Sequence, residues 1–173
     1  MSNRIHIIGR KNSGKTTLIV ELVQELTARD LRVGTIKHTH HHHELDTPGK
    51  DSHRHRTAGA AMVGIMAPGM NAIFWPETDN QGDRYQRMLA MYAGCDIVLV
   101  EGHATGPGRK VEVWRAATGT EPIAQCDDTV VAIISDDALE AAVPVWSRSD
   151  VAALASRILE LTTVKLPNRR RLR

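Results

Sequence analysis

Aromatic side chains are scarce in this chain: Phe, Trp and Tyr together make up 3% of it, and Phe74 is the single phenylalanine. A surface that stacks unpaired bases on rings needs more aromatics than this, so no nucleic-acid partner is expected. Cysteine is equally sparse. Cys95 and Cys126 are the two present and form no C-x-x-C pair, which argues against a disulfide framework or a thiolate zinc site and fits a reducing cytoplasm. No run of about eighteen apolar residues occurs, so no membrane span is expected. The segment Met1-Ser2-Asn3-Arg4 leads into a short apolar run without the longer apolar core and cleavage site of a secretion signal.

Charge is unevenly distributed. Lys165, Arg169, Arg170, Arg171 and Arg173 crowd the last nine residues; taking these five from the 22 basic residues leaves 17 against 20 acidic ones. The body is therefore mildly acidic, and the formal net charge of +2 comes from the tail. So short a basic end reads as a solvated, flexible terminus. A length of 173 residues fits one domain with a continuous core, expected over 1–164 and followed by the tail 165–173.

What the chain does have is Gly9-Arg10-Lys11-Asn12-Ser13-Gly14-Lys15-Thr16, directly after the apolar run Ile5–Ile8. This is the full G-x-x-x-x-G-K-[ST] phosphate-loop pattern, placed between a strand-like and a helix-like run. Glycines let the backbone curl so that its N–H groups point inward at phosphate oxygens, and the N-terminus of the next helix adds partial positive charge. Lys15 can reach β- and γ-phosphates. The Thr16 hydroxyl suits Mg²⁺, a cation that prefers hard oxygen ligands, and Thr17 is counted with the loop. A nucleoside di- or triphosphate is the expected ligand.

Strand-like and helix-like runs alternate along the chain. The expected helices are Lys15–Arg29, Asp51–Ala58, Arg84–Tyr92 and Val151–Leu161, the last capped by Asp150. Strands are expected at Ile5–Ile8, Arg32–Lys37, Asp96–Val100, Val130–Ile134 and Val143–Trp146, with Met62–Met66 and Ala72–Trp75 paired through Pro68-Gly69. Val111–Trp114 alternates like an edge strand. The expected fold is α/β, a P-loop NTPase-type mostly parallel sheet with helices on both faces and some antiparallel additions. Ligands of such sheets lie at the carboxyl ends of the strands.

Ile97-Val98-Leu99-Val100-Glu101-Gly102 has the form of a buried strand ending in a carboxylate. Glu101 there can hold magnesium through water and orient an attacking or displaced oxygen, and Gly102 lets the backbone pass close to phosphate. Lys15 and Glu101 are thus the candidate catalytic groups. His38-Thr39-His40-His41-His42-His43 is followed by Glu44, Asp46, Asp51, His53 and His55. Imidazoles and carboxylates suit transition metals, but a loop of this length between strand and helix also suits a segment that closes over a nucleotide or a partner. Lys50 could meet a phosphate. Asp46 and Asp51 could join Thr16 and Glu101 around magnesium.

Taken in order, the phosphate loop at 9–16, Gly34-Thr35-Ile36-Lys37-His38-Thr39-His40-His41, Gly49-Lys50-Asp51-Ser52, Ala58-Gly59-Ala60 and Leu99-Val100-Glu101-Gly102 resemble the MobB family. These are the adapter proteins of molybdopterin-guanine dinucleotide synthesis. The long His run, His103 and the basic tail depart from the family pattern. The resemblance implies a homodimeric GTP- and Mg²⁺-binding protein with at most feeble GTPase activity. It also implies the molybdenum cofactor guanylyltransferase as partner, with molybdopterin as a further ligand. Guanine enters only through this resemblance, because the chain has no N-K-x-D segment; Ser135 and Asp136 are candidates to face the base. Two other readings stay open. One is GTP-dependent metal delivery of the nickel type, for which a Cys-Pro-His motif is missing. The other is a small-molecule kinase, for which Arg54, Arg56 and Arg84 could supply a lid.

Overall fold

The computed structural model describes residues 3–39, 44–75 and 84–164. Its contacts divide the chain into two compact units, Met1–Thr39 with Ala90–Arg173, and His40–Leu89. The residues expected to form the run His40–His43 and the basic tail 165–173 lie outside the described residues.

The first unit is built on a six-stranded sheet. Its strands are β1 (Arg4–Ile8), β2 (Val33–Lys37), β5 (Ile97–Glu101), β6 (Lys110–Val113), β7 (Val130–Ile134) and β8 (Val145–Trp146). They lie in the order β2-β5-β1-β6-β7-β8, with every neighbouring pair parallel. Ile5, Ile7, Ile97, Leu99, Val111, Val113, Ala132 and Ile134 form one apolar core with two helices, α1 (Lys15–Ala28) and α4 (Val151–Glu160). Those helices contribute Leu18, Leu22 and Leu26 from α1 and Leu154, Ala155 and Ile158 from α4 at helical spacing. Each buried branched side chain contributes about 1.5–3 kcal/mol relative to exposure. Arg29 ties the two helices together at their rim, donating to Ala152 O at 2.7 Å and Ser156 Oγ at 2.8 Å.

The two helices begin differently. Asp150 caps α4 by accepting from the Ala153 amide at 2.9 Å. At the start of α1 stands Gly14 with φ 93°; no side chain caps the helix and its first turn holds no acidic residue. The first amides of a helix have no partner within it, so α1 offers its own to whatever lies in front.

The expected edge strand at Val111–Trp114 is in fact interior, since β6 pairs with β1 on one side and β7 on the other. Its alternation has another cause. Lys110 and Glu112 are buried on the face away from α1 and α4, where each has protein partners. Glu112 accepts from the amides of Ile123 and Ala124 at 2.9 and 3.0 Å, in a short 3-10 turn, and Lys110 meets Asp127 at 3.3 Å and Thr129. Buried polar groups with partners imitate the pattern of a solvated strand face.

His6 lies on that same face of β1, fully buried, with Nδ1 3.4 Å from Gly102 O. Burial lowers its pKa from 6.5 to about 4, against the opposing pull of the Gly102 carbonyl and with help from Arg4, His103 and Lys110. The fold thus prefers the neutral ring. This contribution to stability is whole above pH 6.5, the pKa in the unfolded chain, and is lost as pH falls through the folded value near 4. Urea unfolding of His6→Leu should show a shallower decline between pH 7 and 4.5 than the parent, by on the order of 2–3 kcal/mol. Parallel declines would assign the acid sensitivity to other groups.

In the second unit, α2 (Asp51–Thr57) precedes an antiparallel pair, β3 (Val63–Ala67) and β4 (Met70–Phe74), which turns through Pro68-Gly69 as expected. Helix α3 (Arg84–Met91) completes the element list.

Candidate phosphate-binding site

The loop after β1 takes its shape from three left-handed or otherwise positive φ values, Gly9 at 145°, Asn12 at 64° and Gly14 at 93°. Between them the Ser13 amide bonds Arg10 O at 3.2 Å, closing a turn that leads into α1. Ser13 is buried, and its Oγ is a polar atom with no hydrogen-bond partner among the described residues. Arg10, Lys11, Asn12, Thr16 and Thr17 are exposed around it. Lys15 folds back across the loop so that Nζ donates to Arg10 O at 2.6 Å. Partial burial lowers its pKa, while the nearby Glu101 carboxylate raises it.

Glu101 reaches this point because β5 lies next to β1, with Ile7 opposite Glu101. The two candidate magnesium groups meet there: Thr16 Oγ1 donates to Glu101 Oε1 at 2.7 Å. Gly102 follows with φ 82°, its amide on Ile7 O at 2.9 Å, and His103 is also left-handed at φ 60°. His103, one of the departures from the family pattern, lies flat on His38, with ring centroids 4.0 Å apart and planes 5° from parallel.

Uncapped helix amides, a buried orphan hydroxyl, a lysine held over the loop and a Thr–Glu oxygen pair are groups that a Mg²⁺-bound phosphate would satisfy. Thr16 and Glu101 would hold the ion, and the loop amides with Lys15 would hold the phosphate oxygens. Such an ion neutralises charge on the phosphates.

Lys50 and Asp51 belong to the second unit. There Lys50 precedes α2 and Asp51 is an exposed first-turn residue 3.8 Å from Arg54. Asp46 is engaged locally, accepting from Thr47 N and Ser52 Oγ at 2.8 Å each, and Glu44 binds Arg56 at 2.7 Å. Among the described residues no group of three or more His, Cys, Asp or Glu has metal-binding geometry.

Beside the loop opens a cleft of about 270 Å³ that also takes in Thr17 and the residues following β6, β7 and β8. Asp136 faces it, as expected for a strand-end residue, whereas Trp114, Arg115 and Arg148 were not marked by any motif. The signal that finds them is positional: in a parallel sheet the residues just past each carboxyl end converge on the ligand.

Comparison with known proteins agrees with this architecture. Residues 4–136 match the MobB family, described as molybdopterin guanine dinucleotide synthesis protein B. A protein of Escherichia coli named molybdopterin-guanine dinucleotide biosynthesis adapter protein is 36% identical over 152 residues, covering 86% of each chain. One of the same name from Haemophilus influenzae is 36% identical over 149 residues, covering 81% of this chain and 80% of its own. Among solved structures, a MobB protein homolog from Bacillus stearothermophilus superposes with a TM-score of 0.63 at 26% identity, over 91% of this chain and 99% of that one. Bacillus subtilis MobB shares the fold at a TM-score of 0.70 and 22% identity, over 94% of this chain and 99% of its own. With the family match running from β1 through β7 and so including both the phosphate loop and Glu101, this chain belongs to the MobB family.

Proposed function

We propose that this protein is the adapter of molybdopterin-guanine dinucleotide biosynthesis, binding GTP with Mg²⁺ and acting on the guanylyltransferase that makes the dinucleotide. The observation that carries nucleotide binding is the Thr16–Glu101 hydrogen bond of 2.7 Å in front of the uncapped start of α1. The adapter role follows from the curated relatives that share 36% identity over most of the chain. Glu101, at the end of β5, is the acid that meets Thr16 in this site. No helix among the described residues is long and apolar enough to cross a membrane, in keeping with work in the cytoplasm.

A second copy of the chain is part of this reading. Met66 and Met70 on the β3–β4 pair are 90% and 76% exposed, and Met62 and Ile73 add to them. An isolated two-stranded sheet with apolar side chains in water gains stability from being covered. Metal delivery and kinase action find less support, because the relatives carry the adapter name.

An adapter can change its partner only through a difference in affinity between states. Added to purified guanylyltransferase, molybdopterin and limiting GTP, the protein should raise the rate or yield of dinucleotide, and Lys15→Ala should reduce that rise. Unchanged rate and yield at every GTP concentration would overturn the proposal.

A further inference from the structure

We infer that His103 is a positioning residue for the magnesium-bound phosphates. Its ring, packed on the His38 ring and against the backbone at Gly106, fixes the turn from which Glu101 reaches Thr16. The inference rests on the reading that Thr16 and Glu101 hold the ion.

Glu101 stands where β5 gives way to a sharp turn. Its carbonyl accepts from the His38 amide at 2.9 Å on the β2 side, and the Gly102 amide donates to Ile7 O at 2.9 Å on the β1 side. Beyond these two bonds the chain passes through consecutive left-handed residues, Gly102 at φ 82° and His103 at φ 60°. Glycine takes that conformation freely. A histidine adopts it less often, and it persists where the surroundings hold it.

Three neighbours hold it here. The His38 ring lies parallel to that of His103 with centroids 4.0 Å apart. Buried His6 stands behind the turn, its ring 6.1 Å from that of His103 and its Nδ1 3.4 Å from Gly102 O. The Gly106 amide donates to His103 O at 2.9 Å and folds the following loop back onto the ring. That approach is close: a Cβ added at Gly106 would lie 2.5 Å from His103 Nδ1 and 2.8 Å from Cγ.

The packing bears on the ion because ring and carboxylate share one short backbone. His38 is the residue whose amide holds the Glu101 carbonyl, and its ring is the surface on which His103 rests. A functional group must be held within about 0.5 Å of its working position, and glutamate has a long side chain that magnifies any swing of its Cα. With the ring gone, the left-handed turn loses its support and the Thr16–Glu101 oxygen pair is no longer presented at one spacing. Outer groups that orient metal ligands typically account for about tenfold to a hundredfold in metal affinity.

The full-length protein is titrated with a fluorescent GTP analogue, first in EDTA and then at increasing Mg²⁺. Mg²⁺ should strengthen parental binding, and Glu101→Gln should remove most of that gain. His103→Gly, which suits the left-handed backbone, and Gly106→Ala, which drives the ring from its seat, should each raise the Mg²⁺ concentration for half the gain by about tenfold. Their affinity in EDTA should match the parent. The three atoms nearest a Gly106 Cβ all belong to His103, so Gly106→Ala should add nothing in a His103→Gly background. An unchanged Mg²⁺ requirement in folded His103→Gly or Gly106→Ala would overturn the inference. So would additive effects in the double variant, or equal losses in EDTA and in Mg²⁺, which mark a general support of the loop. Parental binding that Mg²⁺ does not strengthen would instead remove the Thr16–Glu101 reading, and this inference with it.

Discussion

Lys15→Ala is expected to weaken binding of a fluorescent GTP analogue by tenfold or more. The lost interaction is a charge-assisted contact with β/γ-phosphate oxygens, worth about 1.5–3 kcal/mol. The geometry explains why no other residue replaces it. Lys15 already lies across the loop on Arg10 O at 2.6 Å, half-withdrawn from water, so little side-chain freedom remains to be lost when phosphate arrives. Arg10 and Lys11 are exposed on the same loop and supply a diffuse field that salt screens. Titration at two ionic strengths separates the two: the Lys15 deficit should persist at high salt. Equal affinity of parent and variant would remove the loop from the binding site.

Gly9→Ala should do comparable damage by another route. A Cβ at this position would stand 2.3 Å from Val113 O and 2.7 Å from Ser13 Oγ, and the backbone there has φ 145°. The Val113 carbonyl is backbone of an interior strand and cannot step aside, so the loop itself must move. The strain of an unfavourable φ alone costs on the order of 1–3 kcal/mol. Thermal melts should show the loss of stability, and the same titration should show loss of nucleotide binding. At Gly14, where an added Cβ meets nothing within 4 Å, alanine brings backbone strain without collision, and its effect should be smaller. If Gly9→Ala matches the parent in both measurements, the close approach of loop and β6 does not govern the site.

Much of this is legible in the sequence because it is local. The phosphate loop is a contiguous pattern flanked by its required strand and helix, and the Ile97–Glu101 run announces a buried strand with a carboxylate at its end. The Asp150 cap and the turn at Pro68-Gly69 are equally local. What local pattern does not encode is strand order. That β5 lies between β2 and β1, bringing Glu101 to Thr16, depends on packing between segments about eighty-five residues apart in sequence, a separation visible in the bond itself. The same limit hides Trp114, Arg115 and Arg148, which gather at the cleft only after β6 and β8 have found their places. The mistaken edge character of β6 has the opposite origin: its alternation is real, but the partners of Glu112 and Lys110 come from residues 123–129 and no periodicity reports them.

Those two buried charges also act as a register lock. Side chains alternate along a strand, so a slip of one residue between β6 and β1 would swing Lys110 and Glu112 into the hydrocarbon packed under α1 and α4. Their amide and carboxylate partners would be left behind on the opposite side. An all-apolar β6 would lack this penalty and could pair in more than one alignment. Because Val113 at the end of β6 backs the turn at Gly9, the lock keeps a backbone wall behind the loop at a fixed height. Misalignment is thus excluded at the one strand whose position the ligand site inherits.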